Sequence, residues 1–236
     1  MIDLLLSEQV DGMVLCTAAA LNEGEHLLEL KRRHIPFVMV DRYLPHIDTD
    51  YVVTDNEGGA SQMVEHLIEL GHQRIGILTS DEPISSMKHR MEGYRKALHR
   101  YHIPVDERLI KEVSTYYRQG VLEGVDVLYR AIDELMGRKD APTALVTMNS
   151  DLTIGTLGWL NQRKVRIPED VALATFDEIP VLSILGMRLT AVAQSPFEMG
   201  HRAAKLLVER ISGNEEIDGK IVLTPVLKIG QSCGEN

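Results

Sequence analysis

Short apolar runs alternate along the chain with stretches whose apolar residues recur every three or four positions, the alternation that parallel βαβ units produce. Residues 12–16 (Gly-Met-Val-Leu-Cys) read as a strand, 22–33 as a helix with Leu27, Leu28 and Leu30 turned inward, and 36–40 as the next strand. Asp55 or Asn56 can cap a helix carrying Ala60, Met63, Val64, Leu67 and Ile68 on one face, and Gly71 stops it. The run 74–78 predicts a strand, and 88–101 a helix with Met91, Tyr94, Leu98 and Tyr101 on its inner stripe, closed before Pro104. Further on, the pattern predicts a weak strand over 109–113, a helix over 119–136, a strong strand over 144–148 and a helix over 152–162 behind Asp151. A buried strand follows at 171–176, then an extended connection at 189–193, a helix from Pro196 to 211 and a last extended stretch at 221–229. The expected fold is α/β, with parallel sheets flanked by helices.

Size turns this rhythm into an architecture. At 236 residues and 44% hydrophobic, the chain fills one large core or two modest ones, and cores above about 200 residues tend to divide. The formal charge of -10 and the lack of a long basic run disfavour this chain as a nucleic-acid binder, since phosphate neutralisation needs clustered Lys and Arg. Its two cysteines, Cys16 and Cys233, have no metal-like spacing, so neither a disulfide framework nor a metal site is expected. The opening Met1 to Ser7 carries an acid too early for a signal peptide, and no apolar run approaches about 20 residues. The expectation is a cytoplasmic protein with no membrane contact.

In open parallel sheets, ligands bind outside the carboxyl ends of the strands, where loops and helix N-termini converge. That rule selects Thr17, Asp41 and Arg42, Thr79 and Ser80, Asn149 and Ser150, and Asp177. Such hydroxyl, amide and carboxylate groups suit a polyol and offer little to a purely apolar ligand. Arg90 adds a fork of donors at a helix start. Each has a structural alternative: Asp177 could cap a short helix near Ile179, Asn149 could brace a turn, and Arg90 could pair with Glu92 on the surface. An arginine placed like Arg42 more often serves as a surface ion-pair partner, and a pair like Tyr116-Tyr117 is more often a packed loop cap than a stacking platform. No nucleophile elbow, phosphate loop, dinucleotide fingerprint or zinc-protease motif is present, and the nine histidines do not cluster at metal-ligand spacing. Asn56-Glu57-Gly58-Gly59 lacks the rest of a phosphate loop, so close packing is its expected role. No catalytic residue, cofactor or metal is expected.

A set of motifs carries a family resemblance. Val10-Asp11-Gly12-Met13-Val14, Pro36 to Arg42, Asp55-Asn56 and His66 to Ile75 are followed by Arg90-Met91-Glu92-Gly93-Tyr94 and Pro142-Thr143-Ala144. Ile167 to Val171, Phe176-Asp177, Leu189 to Val192 and Met199-Gly200 complete the series. In this order the chain resembles the effector-binding part of the lac repressor/galactose repressor (LacI/GalR) family, similar in fold to periplasmic sugar-binding proteins.

The resemblance implies two α/β lobes with a small effector, a sugar or related metabolite, clamped between them. It places 1–71 and 194–221 in a first lobe, and 72–193 and 222–236 in a second. It also implies a homodimeric regulator that contacts operator DNA through a separate N-terminal helix-turn-helix, and a strand-helix-strand unit opening the first lobe. The chain as read begins at the helix before Gly12, so the expected first lobe is incomplete at its N-terminus, with an unpaired strand edge. Arg90, Asn149 and Asp177 match the family's effector-contacting Arg, Asn and Asp, and Gln194 is a further candidate. Tyr116 or Tyr117 falls where the family has an aromatic wall. The family's Asn-Asp pair is here Asn149-Ser150-Asp151, which keeps Ser150 open as the ligand-facing residue. A transport-type solute-binding protein shares this fold and is the alternative reading; a sugar-modifying enzyme on the same scaffold is a third.

Overall fold

The computed structural model describes residues 2–17, 23–113, 116–118, 121–214 and 216–234. In chain order the elements are α1 (Ile2–Ser7), β1 (Met13–Leu15), α2 (Glu25–Arg32), β2 (Phe37–Val40), β3 (Asp50–Thr54), α3 (Asn56–Glu69), β4 (Ile75–Thr79) and α4 (Ser85–Arg100). Then come β5 (Ile110–Glu112), β6 (Tyr116–Arg118), β7 (Val121–Glu123), α5 (Val125–Met136), β8 (Ala144–Thr147), α6 (Ser150–Arg163), β9 (Ala172–Phe176) and α7 (Pro180–Ile184). The chain ends with β10 (Thr190–Ala193), α8 (Pro196–Ile211), β11 (Lys220–Leu223) and β12 (Val226–Lys228).

These elements form two compact units. Unit 1 holds Met1–Asp55, Pro83–Lys88 and Ser195–Thr224, and unit 2 holds Asn56–Glu82, His89–Gln194 and Pro225–Asn236. The sequence reading had put 1–71 in the first lobe and 222–236 in the second. Instead α3 groups with unit 2, because it packs on β9, β10 and β12 of that unit's sheet, and residues 83–88 and 222–224 group with unit 1.

Unit 1 is built on a parallel sheet in the order β1-β2-β3-β11. Alternation along β2 divides its core in two. Phe37 and Met39 pack with Met13, with Leu27 and Leu30 of α2 and with Leu44, while Val38 packs with Val52 and with Met199, Ala203 and Leu206 of α8. Leu28, expected inside, is 45% exposed, because only positions 27 and 30 of this short helix reach the sheet. β1 is an edge strand, and among the described residues no strand pairs along its outer side.

Unit 2 carries a six-stranded sheet, β12-β10-β9-β8-β4-β5, parallel except where β12 runs antiparallel to β10. Every residue of β4, β8, β9 and β10 is buried, which explains why these strands read as unbroken apolar runs. Leu78, Leu145 and Leu173 pack against Leu128, Ile132 and Leu135 of α5 and Leu152, Trp159 and Leu160 of α6.

Several elements differ from the sequence reading for identifiable reasons. The helix expected from 119 starts at Val125, after Gly124 takes a left-handed φ of 81° that an L residue resists, and Val121–Glu123 instead pairs with β6 as a hairpin. Residue 119, like residue 22 of the expected first helix, lies outside the described residues. The extended stretch at 221–229 is two strands in two different sheets, divided at Pro225, which cannot donate to a ladder. In α4 Tyr94 and Leu98 of the expected stripe are buried, and Arg90, Gly93 and Ala97 share their face, whereas Tyr101 lies exposed, its hydroxyl donating to Glu69.

Candidate functional site

The packing of α4 on α3 decides where Arg90 goes. A Cβ at Gly93 would sit 2.3 Å from the Glu57 carbonyl oxygen and 2.9 Å from the Ala60 Cβ, so glycine lets the helices meet closely. One turn earlier on the same face, Arg90 is carried into the interior of unit 2, where it is 2% exposed. A cation so buried requires partners. Arg90 Nε donates to Asn56 Oδ1 at 2.8 Å, Nη1 donates to the Met148 carbonyl oxygen, and Nη1 lies 3.5 Å from Asp177 Oδ2. Its guanidinium carbon stands 3.7 Å from the centroid of the Phe176 ring, a cation-π contact.

The fork therefore ties three strand or helix ends together: the start of α3, the end of β8 and the end of β9. At 2% exposure Arg90 is not the surface residue of its predicted alternative. Gly59 supports the same arrangement, since a Cβ there would meet Pro225, Val192 and Phe176 at 2.9 to 3.2 Å, in keeping with the packing role expected of this glycine-rich turn.

Asp177 follows β9 with a φ of 80°, a left-handed conformation that costs an L residue on the order of 1–2 kcal/mol and that Asp tolerates better than most. Its backbone N–H donates to the Val192 carbonyl oxygen at 3.0 Å, and its carboxylate accepts from Gln194 Nε2 at the end of β10. It does not cap α7, whose N-cap residue is Ile179 and has no side-chain cap. The Asp177 side chain is 25% exposed, so the carboxylate is anchored on one side and open on the other.

Asn149 is the N-cap of α6, its Oδ1 accepting from the Leu152 N–H at 2.8 Å; the sequence reading had given that cap to Asp151. Ser150 opens the helix, half-buried. Beneath them runs a chain of buried hydroxyls. Thr153 Oγ1 lies 2.7 Å from the Asn149 carbonyl oxygen and 2.8 Å from Thr147 Oγ1, and it also bonds Thr175 Oγ1. These threonines lock the first turn of α6 to the ends of β8 and β9, from which Asn149 and Asp177 project.

The candidates thus come to different ends. Arg90, Asp177 and Gln194 form one bonded cluster, Asn149 lies beside the Met148 carbonyl that Arg90 engages, and Thr79 is buried at the end of β4. Tyr116 and Tyr117 form β6, and their side chains lie outside what the structure describes. Thr17, Asp41 and Arg42 belong to unit 1, where Asp41 pairs with its neighbour Arg42 at 3.0 Å. Asn56 and Phe176 were missed as site residues: the first read as a helix cap and the second as strand core, and nothing local marks either as a partner of Arg90. Among the described residues no group of His, Cys, Asp or Glu could hold a metal ion, and no helix is long and apolar enough to cross a membrane.

Residues 64–233 match the periplasmic binding protein-like domain family. The chain is 31% identical, over 97% of its length, to the probable HTH-type transcriptional regulator EndR of Paenibacillus polymyxa, of which it covers 66%. It superposes with a TM-score of 0.83 on the crystal structure of a LacI-family regulatory protein from Chloroflexus aggregans, at 31% identity over 98% of this chain and 79% of that one. A LacI-family regulator from Enterococcus faecium with bound ribose gives a TM-score of 0.82 at 28% identity, over 98% of this chain and 82% of that one. The chain spans 59% to 67% of the length of the transcriptional regulators EndR, CytR, DegA and PurR, to which it is 27% to 31% identical. With its parallel sheets, its strand-end polar cluster and this range of similarity, the chain belongs to the LacI family, in the part that has the periplasmic binding protein-like fold.

Proposed function

We propose that this chain is the effector-binding part of a LacI-type regulator. On this reading the strand-end cluster of unit 2 holds a sugar or a related small polar metabolite, and its occupancy in the whole protein alters affinity for operator DNA. The observation that carries the reading is Arg90, a buried guanidinium fixed by Asn56, the Met148 carbonyl and Phe176 so that it holds Asp177 in place. An ionised carboxylate can accept about four hydrogen bonds. With Gln194 and Arg90 on one side, Asp177 keeps acceptor capacity on its open side for a pair of ligand hydroxyls. Asn149 and Ser150, at the adjacent strand end, supply further polar contacts, and Tyr116 or Tyr117 an aromatic wall. The bound ribose of the Enterococcus faecium relative supports a sugar as the ligand class.

We read this cluster as a binding site, in keeping with relatives that are transcriptional regulators. Homodimerisation, operator contact through a helix-turn-helix and a cytoplasmic setting belong to the same proposal for the whole protein. The test is a thermal-shift screen of the chain against pentoses and hexoses, since a ligand that binds only the folded state raises its apparent stability by RT ln(1 + [L]/Kd). One sugar is expected to raise Tm, with the shift abolished by Asp177→Ala. A shift that survives both Asp177→Ala and Arg90→Ala places the ligand elsewhere and removes this assignment.

A further inference from the structure

We propose that the strand starts of unit 2 form a second ligand site, in which Arg74, Arg108 and Arg138 take the phosphate of a phosphate monoester. The site lies at the opposite edge of the sheet from Asn149 and Asp177 and is independent of the effector reading. Strands β8, β4 and β5 are parallel neighbours, so the residues that lead into them meet along one edge. Arg74 immediately precedes β4, Arg108 lies two residues before β5, and Arg138 and Asp140 stand in the segment that leads into β8. All three guanidinium groups turn to one carboxylate: Arg138, Arg74 and Arg108 stand 3.1, 3.2 and 3.7 Å from Asp140. Arg74 donates to the Asp140 carbonyl oxygen as well.

These cations outnumber the acids that hold them. Asp140 balances one arginine, and Asp106 balances Arg108, accepting from its Nε and Nη2 at 2.8 Å each. Glu107 adds nothing to the balance, because Arg95 engages it at 3.6 Å. Lys139, between Arg138 and Asp140, is exposed and has no ion pair among the described residues. The donors are in excess too. Among the described residues Nη1 of each arginine bonds no protein acceptor, and the Nε of Arg74 and of Arg138 is shielded from solvent without one. Arg138 and Arg74 are only a quarter and a third exposed, so their charge is screened less than that of a free surface arginine.

Charge and shape select the ligand. A second carboxylate would bring two oxygens and one charge. A phosphate monoester brings three oxygens, one for each open Nη1, and near neutral pH a charge of about -2, which answers the two unbalanced cations. Asp140, 44% exposed, then acts as the internal competitor of the phosphate.

The test is isothermal titration of the chain at low ionic strength with inorganic phosphate and glycerol 3-phosphate, with acetate as the control. Glycerol 3-phosphate is expected to bind with a Kd of about 1 mM or tighter, and acetate at least about 10-fold more weakly. Arg138→Gln and Arg108→Gln are each expected to weaken the phosphate about 5-fold or more. Arg108 is 64% exposed, so its variant keeps the fold and carries the test alone if Arg138→Gln does not. Asp140→Asn is expected to tighten binding several-fold, an effect that a carboxylate serving only to brace the strand starts would not produce. Inorganic phosphate binding with glycerol 3-phosphate failing assigns the site to the free ion and overturns the monoester. Phosphates held no tighter than acetate, binding unchanged in the arginine variants, or binding weakened by Asp140→Asn overturns the site itself.

Discussion

The two units end corresponding strands with the same backbone device and use it differently. Asp41 follows β2 in unit 1 with φ 68°, and its N–H donates to the Val52 carbonyl of the neighbouring strand; Asp177 follows β9 in unit 2 with φ 80°, and its N–H donates to Val192 in the same way. In unit 1 the carboxylate turns to the adjacent Arg42, and both side chains are a quarter exposed. In unit 2 it is gripped by Gln194 and by an arginine 87 positions earlier that is buried to 2%. The difference lies in the supporting shell. Unit 2 has strands buried on both faces and a hydroxyl chain under the strand ends, whereas β1 and β11 of unit 1 are partly exposed edge strands. A left-handed aspartate at a strand end is thus a shared scaffold feature, and a buried cation beneath it is what makes it a site.

The largest test of this contrast is the core itself. Leu145→Ala, at the fully buried centre of the unit 2 sheet, is expected to cost about 2–5 kcal/mol, against no more than about 0.5 kcal/mol for Val222→Ala on the β11 edge. Trp159, the chain's one tryptophan, packs in the unit 2 core, so its fluorescence in denaturant follows that unit's unfolding, while far-ultraviolet circular dichroism follows both. Comparable costs at the two positions would break the comparison at its root.

Next come the two arginines. Arg90→Ala leaves the Asn56 and Met148 acceptors buried without their donor and Asp177 without its cation, and about 3 kcal/mol of unit 2 stability is expected to go with it. Arg42→Ala, removing a partly exposed pair between neighbours, is expected to cost at most about 1 kcal/mol. Glycine at the two left-handed positions sharpens the contrast. Asp41→Gly relieves the backbone and is expected to be neutral or to stabilise by up to about 1 kcal/mol, whereas Asp177→Gly gains the same relief but loses two charged contacts and is expected to destabilise by about 1–2 kcal/mol. Equal responses would mean that Asp177 is held no more firmly than Asp41.

The sequence made the scaffold legible and the site's wiring much less so. Unbroken apolar runs such as 144–148 announce strands buried on both faces, and the strand-end rule picks out Asn149 and Asp177 without any relative in view. What stayed hidden depends on pairing across distance. Arg90 and Asn56 are 34 positions apart and meet only because Gly93 lets α4 sit on α3, a fact that no local periodicity encodes. Because an arginine and a glycine do not look apolar, the pattern finds Tyr94 and Leu98 on the buried stripe of α4 but not Arg90 and Gly93 beside them. Thr147, Thr153 and Thr175 pass for ordinary strand or helix residues until the strands are placed side by side. The split of 221–229 between two sheets is likewise invisible to a window that sees one extended run, although Pro225 marks the place.

The smallest expected effect, and the most widely spread, is the acid response of the surface pairs. In unit 2, Arg108 and Arg166 hold the carboxyls of Asp106 and Asp170 down at about 2, and the hydrogen bonds of Arg163 with Trp159, of Lys111 and of Arg138 keep Asp133, Glu134 and Asp140 low. In unit 1 the corresponding pairs among the described residues are Glu29 with Arg33 and Glu198 with Arg202. A carboxyl whose folded value lies below its unfolded one, about 3.9 for Asp, contributes stability that is complete above that unfolded value and is lost as pH falls toward the folded one. For Asp106 and Asp170 the loss therefore falls between about pH 4 and pH 2. Asp151 acts in the opposite sense: its raised acid makes its ionisation unfavourable to folding, so Asp151→Asn is expected to stabilise unit 2 near neutrality and to have no effect below the unfolded value. With Trp159 fluorescence as the probe, the double variant Asp106→Asn, Asp170→Asn should show a shallower loss of stability from pH 4 to 2 and an unchanged profile from pH 5 to 8. Because these pairs are exposed, about 0.5 M salt should flatten the wild-type acid limb toward that of the variant. A limb insensitive to both salt and substitution would show that these exposed pairs are not the source of the acid response, and would remove the distinction drawn here between the many pairs of unit 2 and the few of unit 1.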